Sequence, residues 1–137
     1  MSIMQALQNW IAGFDYGSFT DLSEISTDLL NEEPAGYALQ LAGMKVKSID
    51  ILGHRTYENT YLFYLKESIS VESDRSDNND FVEKLAEWID EQNDADNLPV
   101  LPGKYRTNSV TVTNAMLFEI LEDGSGIYQI SLSIEFE

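Results

Sequence analysis

The sequence predicts an α+β domain in which an antiparallel β-sheet carries two main helices on one face. Two segments have apolar residues at helical spacing, one at the amino terminus and one after residue 80. Elsewhere apolar residues alternate along the chain, above all in its last third, which is typical of strands with one buried face. The order of helix, several strands, helix and hairpin therefore favours a sheet with helices on one side.

The composition predicts a single domain over residues 1–137. With 43% apolar and 11% aromatic residues, a chain of 137 residues can form one core. It contains no cysteine, which excludes disulfides, thiolate metal sites and cysteine nucleophiles. No apolar run approaches the roughly 20 residues that span a membrane, and the amino terminus lacks signal-peptide features. We therefore expect a soluble protein that is not secreted by the standard route.

The first helix is predicted from about Ser2 to Ala12, with Ser2 as its cap and Gly13 at its end. Its apolar stripe, which we expect to face the core, consists of Ile3, Leu7, Trp10 and Ile11. A short strand or turn is expected at Ile25–Leu30. Pro34 then interrupts it, because proline has no amide donor.

The central part of the chain predicts three strands, at Gly36–Leu41, Lys45–Leu52 and Tyr57–Val71, with a turn at residues 53–55. One face of the third strand would carry Tyr57, Tyr61, Phe63, Leu65, Ile69 and Val71. Because Leu62 and Tyr64 lie on its other face, this strand is predicted to be covered on both sides. The second cover is either a helix of the same chain or a neighbouring subunit.

The second helix is predicted to begin at Asp80, which resembles a capping box together with Glu83. Its apolar stripe consists of Phe81, Leu85, Trp88 and Ile89. The helix should end within residues 93–97, and Leu98–Gly103 is expected to be an extended linker because it contains two prolines.

The last third of the chain predicts a β-hairpin. Its first strand alternates through Val110, Val112, Met116, Phe118 and Ile120. Residues 122–126 supply the turn, because their glycines accept positive φ. The final strand would point Tyr128, Ile130, Leu132, Ile134 and Phe136 inward. A slip of one residue would reverse every side chain, so the register is firmly specified.

The charge of the chain is strongly negative. Eight Lys and Arg residues face 24 Asp and Glu residues, which gives a net charge of −16. This field disfavours binding to nucleic acid or to anionic membranes. The basic residues are scattered along the sequence and form no stripe; they are Lys45, Lys47, Arg55, Lys66, Arg75, Lys84, Lys104 and Arg106.

No motif predicts catalysis, a metal site or a cofactor. The only histidine, His54, lies in a predicted turn without a marked nucleophile as partner. Residues 74–80 are acidic like a calcium loop but lack its glycine, and Leu85 stands where the loop needs glutamate. The glycines form neither a phosphate loop nor a dinucleotide fingerprint. We expect a protein that is not an enzyme and needs no cofactor.

Three stretches, Tyr57–Leu65, Phe81–Asn93 and Asn97–Pro99, resemble a family of minor capsid or tail-terminator-like proteins. The family comes from prophages and tailed phages of low-GC Gram-positive bacteria. The turn at residues 31–34 and the alternating last strand are similar too. Some members carry the label of chloramphenicol resistance proteins. That acetyltransferase would need a histidine base in an acidic, glycine-containing context, which the sequence after His54 does not provide.

The resemblance implies a tail-terminator-like fold and a virion protein that caps the head-proximal end of a tail as a ring, usually a hexamer. It implies contacts with the tail tube and head-completion proteins, and DNA only as passing cargo that is not bound. Subunit contacts are predicted at Leu62, Tyr64, Leu98, Pro99, Val100 and Leu101. The alternative is an acidic protein-binding module, such as a DNA-mimicking inhibitor or an immunity-type protein.

Overall fold

A computed structural model describes residues 2–14, 36–68, 72–120 and 125–137. Its elements are α1 (Ile3–Ile11), β1 (Gly36–Ile49), β2 (Arg55–Ser68), α2 (Glu72–Asp94), β3 (Thr107–Ile120) and β4 (Ser125–Phe136). The predicted strand at Ile25–Leu30, the break at Pro34, the end of the third strand at residues 69–71 and the turn at 122–124 lie outside the described residues.

The four strands form one sheet in the order β1-β2-β4-β3, and every neighbouring pair is antiparallel. Side chains of both helices join one face of the sheet in a single buried cluster. The predicted α+β class is therefore confirmed, as are the two main helices on one face. Strands β2 and β4 are central, whereas β1 and β3 are the edges.

Helix α1 begins where the sequence predicts. The Ser2 hydroxyl accepts the amide of Gln5 at 3.1 Å, and the Gln5 side chain accepts the amide of Ser2 at 3.0 Å, which completes a capping box. Leu7 and Ile11 of the predicted stripe are fully buried. The first helix is thus fixed by its own cap and by its apolar face.

Helix α2 begins at Glu72, so the prediction that Asp80 caps it is wrong. The polar stretch before Phe81 is helical, although Asp and Asn usually favour caps and turns. Acidic residues are favourable in the first turns of a helix because they interact with its positive dipole end. The predicted apolar face of this helix is confirmed for Phe81, Leu85 and Ile89, which are buried.

The two strands predicted at Gly36–Leu41 and Lys45–Leu52 are one strand, β1. Irregularities in pairing occur between Leu41 and Gly43 and between Val46 and Ser48. Each inserts an extra residue without ending the strand, which is how a bulge acts. Residues 51–52 form the turn, and β2 begins at Arg55.

The carboxy-terminal hairpin is confirmed in β4, where the five residues predicted to face inward are all buried. In β3 the predicted unbroken alternation is wrong. A bulge between Val112 and Asn114 shifts the register by one residue, so that Ala115 pairs with Ile130 and Met116 with Gln129. The register shifts again between Leu117 and Glu119, so the alternation predicted from Val110 to Ile120 is interrupted twice.

Candidate interaction surfaces

The distal part of β1 and the turn that leads into β2 are exposed throughout. Every residue from Leu41 to Arg55, hereafter the hairpin arm, is solvent-exposed, although it carries six large apolar side chains. These are Leu41, Met44, Val46, Ile49, Ile51 and Leu52. Met44 is 68% exposed, and Ile51 is fully exposed. A contiguous apolar surface of this kind marks a site of interaction with another molecule.

The apolar residues of the arm continue the helix-covered face of the sheet. Met44 and Val46 pair with Asn59 and Tyr57 of β2, which point to the same face as the core. Tyr57 in turn stacks on Phe136, with ring centroids 5.3 Å apart. Tyr105 packs edge-on against the Phe136 ring at 5.2 Å. The core therefore runs without interruption into an apolar surface that neither helix covers.

The tip of the arm is organised by Asp50. Its carboxylate accepts the amides of Leu52 and His54, both at 2.9 Å, and its carbonyl accepts the amide of Gly53 at 3.0 Å. Gly53 has a φ of 84°, which a residue with a side chain rarely adopts. The tip is therefore a defined turn that presents Ile51 and Leu52 to solvent.

The amide of His54 and then that of Leu52 hold the pKa of Asp50 below its ordinary value of 3.8. A lowered folded-state pKa gives stability that is present above pH 3.8 and is lost as the pH falls through the folded value. We expect the amide proton shifts of Leu52 and His54 to titrate together in NMR spectra, with a midpoint below pH 3.8. D50N keeps the acceptor oxygen and should abolish the titration; a wild-type midpoint at or above 3.8 would contradict this role.

Five of the eight basic residues meet at this end of the sheet, although they are dispersed in the sequence. They are Lys45, Lys47, Arg55, Lys104 and Arg106. Antiparallel pairing causes this, because Ile49 pairs with Arg55 and the backbones of Arg106 and Glu137 exchange two hydrogen bonds. A cleft of about 640 Å³ lies between the tip of the arm and residues 104–106. These cations offset the carboxylates described at this end of the sheet, which are Asp50, Glu58, Glu135 and Glu137.

Three of these cations are paired. Lys45 lies 3.3 Å from Glu58, Lys47 lies 2.9 Å from Glu135, and Arg106 lies 2.6 Å from Glu137. The hydrogen bond to Glu135 raises the pKa of Lys47. Among the described residues, Arg55 and Lys104 have no carboxylate within 4.0 Å. These two positive charges therefore remain available to a partner.

The outer face of α2 is the most acidic described surface. Over residues 79–94 its exposed charged residues are Asp80, Glu83, Lys84, Glu87, Asp90, Glu91 and Asp94. The single cation, Lys84, lies 3.5 Å from Glu87. Six carboxylates therefore face solvent beside one amine, and the resulting field repels other anions.

The predicted linker packs against α1 and forms a second apolar surface. The indole of Trp10 donates to the carbonyl of Asn97 at 2.8 Å, and Thr107 donates to the carbonyl of Pro99 at 2.7 Å. These bonds hold open a groove of about 580 Å³, hereafter the linker groove. It is lined by Ala6, Asn9, Trp10, Asn97, Leu98, Pro99, Val100, Leu101 and Pro102.

The residues predicted for subunit contacts occupy two places. In the linker, Val100 is 85% exposed and Leu98 is partly exposed, whereas Pro99 and Leu101 are buried within the chain. On the sheet face opposite the helices, Tyr64 is buried with Ala38 and Ile127, and Leu62 packs against them with partial exposure. Of these predicted residues, Val100 presents the most surface to a partner.

The structure gives no described site for chemistry. His54 is exposed in the tip, with its Nδ1 atom 3.3 Å from the Asp50 carboxylate. Across the described ranges, no group of three or more His, Asp or Glu side chains is placed to hold a metal ion. Neither α1 nor the described α2 is long and apolar enough to cross a membrane.

Sequence analysis did not single out the hairpin arm. A signal was present, because turns normally consist of Gly, Pro, Asn, Asp and Ser, whereas Ile51 and Leu52 are large aliphatic residues. Large apolar residues at a turn indicate that the turn is covered by something. Nothing in the sequence indicated that five basic residues lie close together, because their proximity depends on the order of the strands in the sheet.

Comparison with known families bears out the resemblance. The family model described as bacteriophage tail terminator protein matches residues 25–137, which include α2 and all four strands. No curated protein matches the chain at a significant level. The family is structural and not typically enzymatic. Because the match extends over far more than half of its length, the chain belongs to the bacteriophage tail terminator family and is a structural protein of the phage tail.

Proposed function

We propose that this protein ends the growth of a phage tail by forming a ring on the head-proximal end of the tail tube, to which the head then joins. The match of residues 25–137 to the tail terminator family carries this proposal. The ring would consist of six copies. The protein would be found in the neck of the finished virion, and in the host cytoplasm during assembly.

The surfaces of the subunit support self-assembly. A closed ring needs a heterologous interface, in which two different patches of the same chain meet around a rotation axis. The chain offers two separate apolar surfaces, the hairpin arm and the linker groove. The predicted contact residues Leu98–Leu101 belong to the groove. Leu62 and Tyr64 are proposed to contribute less, because Tyr64 is already covered within the chain.

The net charge of −16 suits a ring through which DNA passes without binding. Carboxylates on the wall of the bore repel phosphate, so that the genome does not adhere during ejection. The acidic outer face of α2 is one surface of the required kind. A density map of an assembled ring tests this placement, and a neutral or basic bore would contradict it.

Deleting the gene from its phage or prophage is expected to produce overlong tails, or tails without heads. The physical reason is that nothing would then block addition of tube subunits or present the surface to which heads attach. Electron microscopy of induced lysates measures both tail length and the fraction of joined particles. Expression of the intact chain in trans should restore both values. Normal infectious particles from the deletion strain would rule the proposal out.

A binding assay separates this function from that of an acidic inhibitor. Purified protein should be retained on tail tubes isolated from the deletion strain. A DNA-mimicking or immunity-type protein would ignore the tubes and instead capture a basic nuclease, with affinity that falls as salt is raised. Capture of such a nuclease without retention on tubes would favour the inhibitor.

A further inference from the structure

The hairpin arm carries six of the eight large apolar side chains that are exposed among the described residues. In the arm, β1 is an edge strand that pairs with β2 on one side only, and its apolar side chains are exposed to water. An exposed apolar edge strand is a liability, because it can pair with other chains. Yet the arm is held by a shaped turn, and its tip displays Ile51 and Leu52 instead of polar residues. Six large apolar residues that no described element covers mark the arm as a site of interaction with a partner.

We propose that the hairpin arm of one copy packs into the linker groove of the next copy, with Ile51 and Leu52 inserted beside Trp10 and Val100. This inference rests on the proposed ring and identifies the two patches that close it. The occupant of the groove is thus a second copy of this chain.

The chemistry of the two surfaces matches. The groove is lined mainly by apolar side chains of α1 and of the linker, and its volume of about 580 Å³ accommodates the two aliphatic side chains of the tip. Val100 on its rim is 85% exposed, and Leu52 at the tip is 77% exposed. Contact between the two would remove both from water, which is favourable in proportion to the apolar area buried.

Arg55 on the arm and the acidic segment that precedes the groove carry opposite charges, whereas Lys104 follows the groove-lining Pro102 by two residues. Arg55 at the base of the tip has no described carboxylate partner, and Lys104 across the cleft has none either. The chain segment that leads into the groove carries Asp94 and Asp96, which are both exposed. A second copy is strongly acidic overall, so it can approach most easily at the end where the cations meet.

The two surfaces also lie in places that allow a ring. The arm belongs to β1, whereas the linker leads into β3, and these are the opposite edge strands of the sheet. The arm and the groove share no residue. A contact between them is therefore head-to-tail, so an open assembly keeps one free arm and one free groove, at its two ends, until the ring closes.

Single cysteines test the contact directly, because the natural chain has none. L52C labels the tip, and V100C labels the groove rim, each at an exposed position. The two full-length variants, one with a size tag, are mixed in the presence of tail tubes from the deletion strain and treated with a short bismaleimide. We expect a crosslinked product that contains one copy of each variant, and much less product from either variant alone.

Each alternative result has a definite meaning. A product of two L52C copies would mean arm-to-arm pairing, and a product of L52C with the tube protein would mean a different partner; both overturn the inference. Rings that form on the tubes without any crosslink overturn the inference but leave the proposed function intact. Tubes that acquire no ring from the wild-type chain overturn both.

A charge substitution gives an independent measurement. The double variant I51D/L52D places two carboxylates where the proposal buries two aliphatic side chains. Each lost contact should lower the association constant by about tenfold or more, as sedimentation velocity or ring counting on tubes would show. T111D, at an exposed position of β3, is the control with the same kind of change. Equal assembly of the two variants, both with the wild-type urea midpoint, would overturn the inference.

Discussion

Replacing Phe63 by alanine is expected to lower the free energy of unfolding by about 4 kcal/mol, which is the usual cost of removing a large aromatic side chain from a core. Phe63 lies in the central strand β2 and is fully buried. Its ring stacks on that of Tyr37 at 5.8 Å, and Tyr37 stacks on Phe81 of α2 at 5.9 Å. The substitution therefore leaves a cavity where β1, β2 and α2 meet.

Urea unfolding followed by circular dichroism measures this loss, and domains of this size unfold with about 5–15 kcal/mol. L62A is the matched control, because Leu62 is the preceding residue of the same strand but faces the opposite side with partial exposure. It should cost clearly less than F63A. Equal losses for the two variants would mean that the helix-covered face is not the main core.

The core could be predicted from the sequence, because the spacing of the apolar residues and the capping residues indicate the same elements there. Ser2, Leu7 and Ile11 of α1 combine a cap with a stripe, and the final strand alternates over its whole length. Such segments have only one way to bury their apolar residues. Their structure follows from local pattern alone.

The errors lie where local chemistry and tertiary pairing disagree. The polar stretch before Phe81 contains residues that favour caps, but they continue α2 in the structure. A bulge cannot be read from alternation, so the register shift after Val112 was not predictable. The start of α2 and the bulge in β3 both depend on contacts between elements that are distant in the sequence.

The candidate assembly surfaces show the same limit. Val100 was one of six residues predicted for subunit contacts, and it is exposed as a contact residue needs to be. The arm was not recognised, because the sequence cannot show that the cover of a strand ends halfway along it. From Leu41 onward β1 keeps the apolar pattern of a buried strand but extends beyond both helices. An apolar strand that no described element of its own chain covers is the physical basis for proposing a neighbour.

Replacing Asn93 by alanine is expected to lower the free energy of unfolding by about 2–3 kcal/mol, since it removes two or three partly buried hydrogen bonds at about 1 kcal/mol each. The Asn93 amide group donates to the carbonyl of Ile89 at 2.8 Å and to the carbonyl of Val110. Its oxygen accepts the amide of Val110 at 2.8 Å. One side chain thus occupies both backbone groups of Val110 and ties the end of α2 to edge strand β3.

The N93A variant should also expose the edge of β3, so that the Val110 amide exchanges faster with deuterium even under native conditions. N93D retains an acceptor for that amide but brings a negative charge against the carbonyls of Ile89 and Val110, and we expect it to be at least as destabilising. D94A, at the exposed neighbouring position, should change stability by less than about 0.5 kcal/mol. Unchanged protection of Val110 in N93A would mean that strand pairing with β4 alone holds β3. The bridge from Asn93 occupies part of the β3 edge, whereas the β1 edge carries exposed apolar side chains from Leu41 onward. This asymmetry favours β1 as the edge through which copies meet.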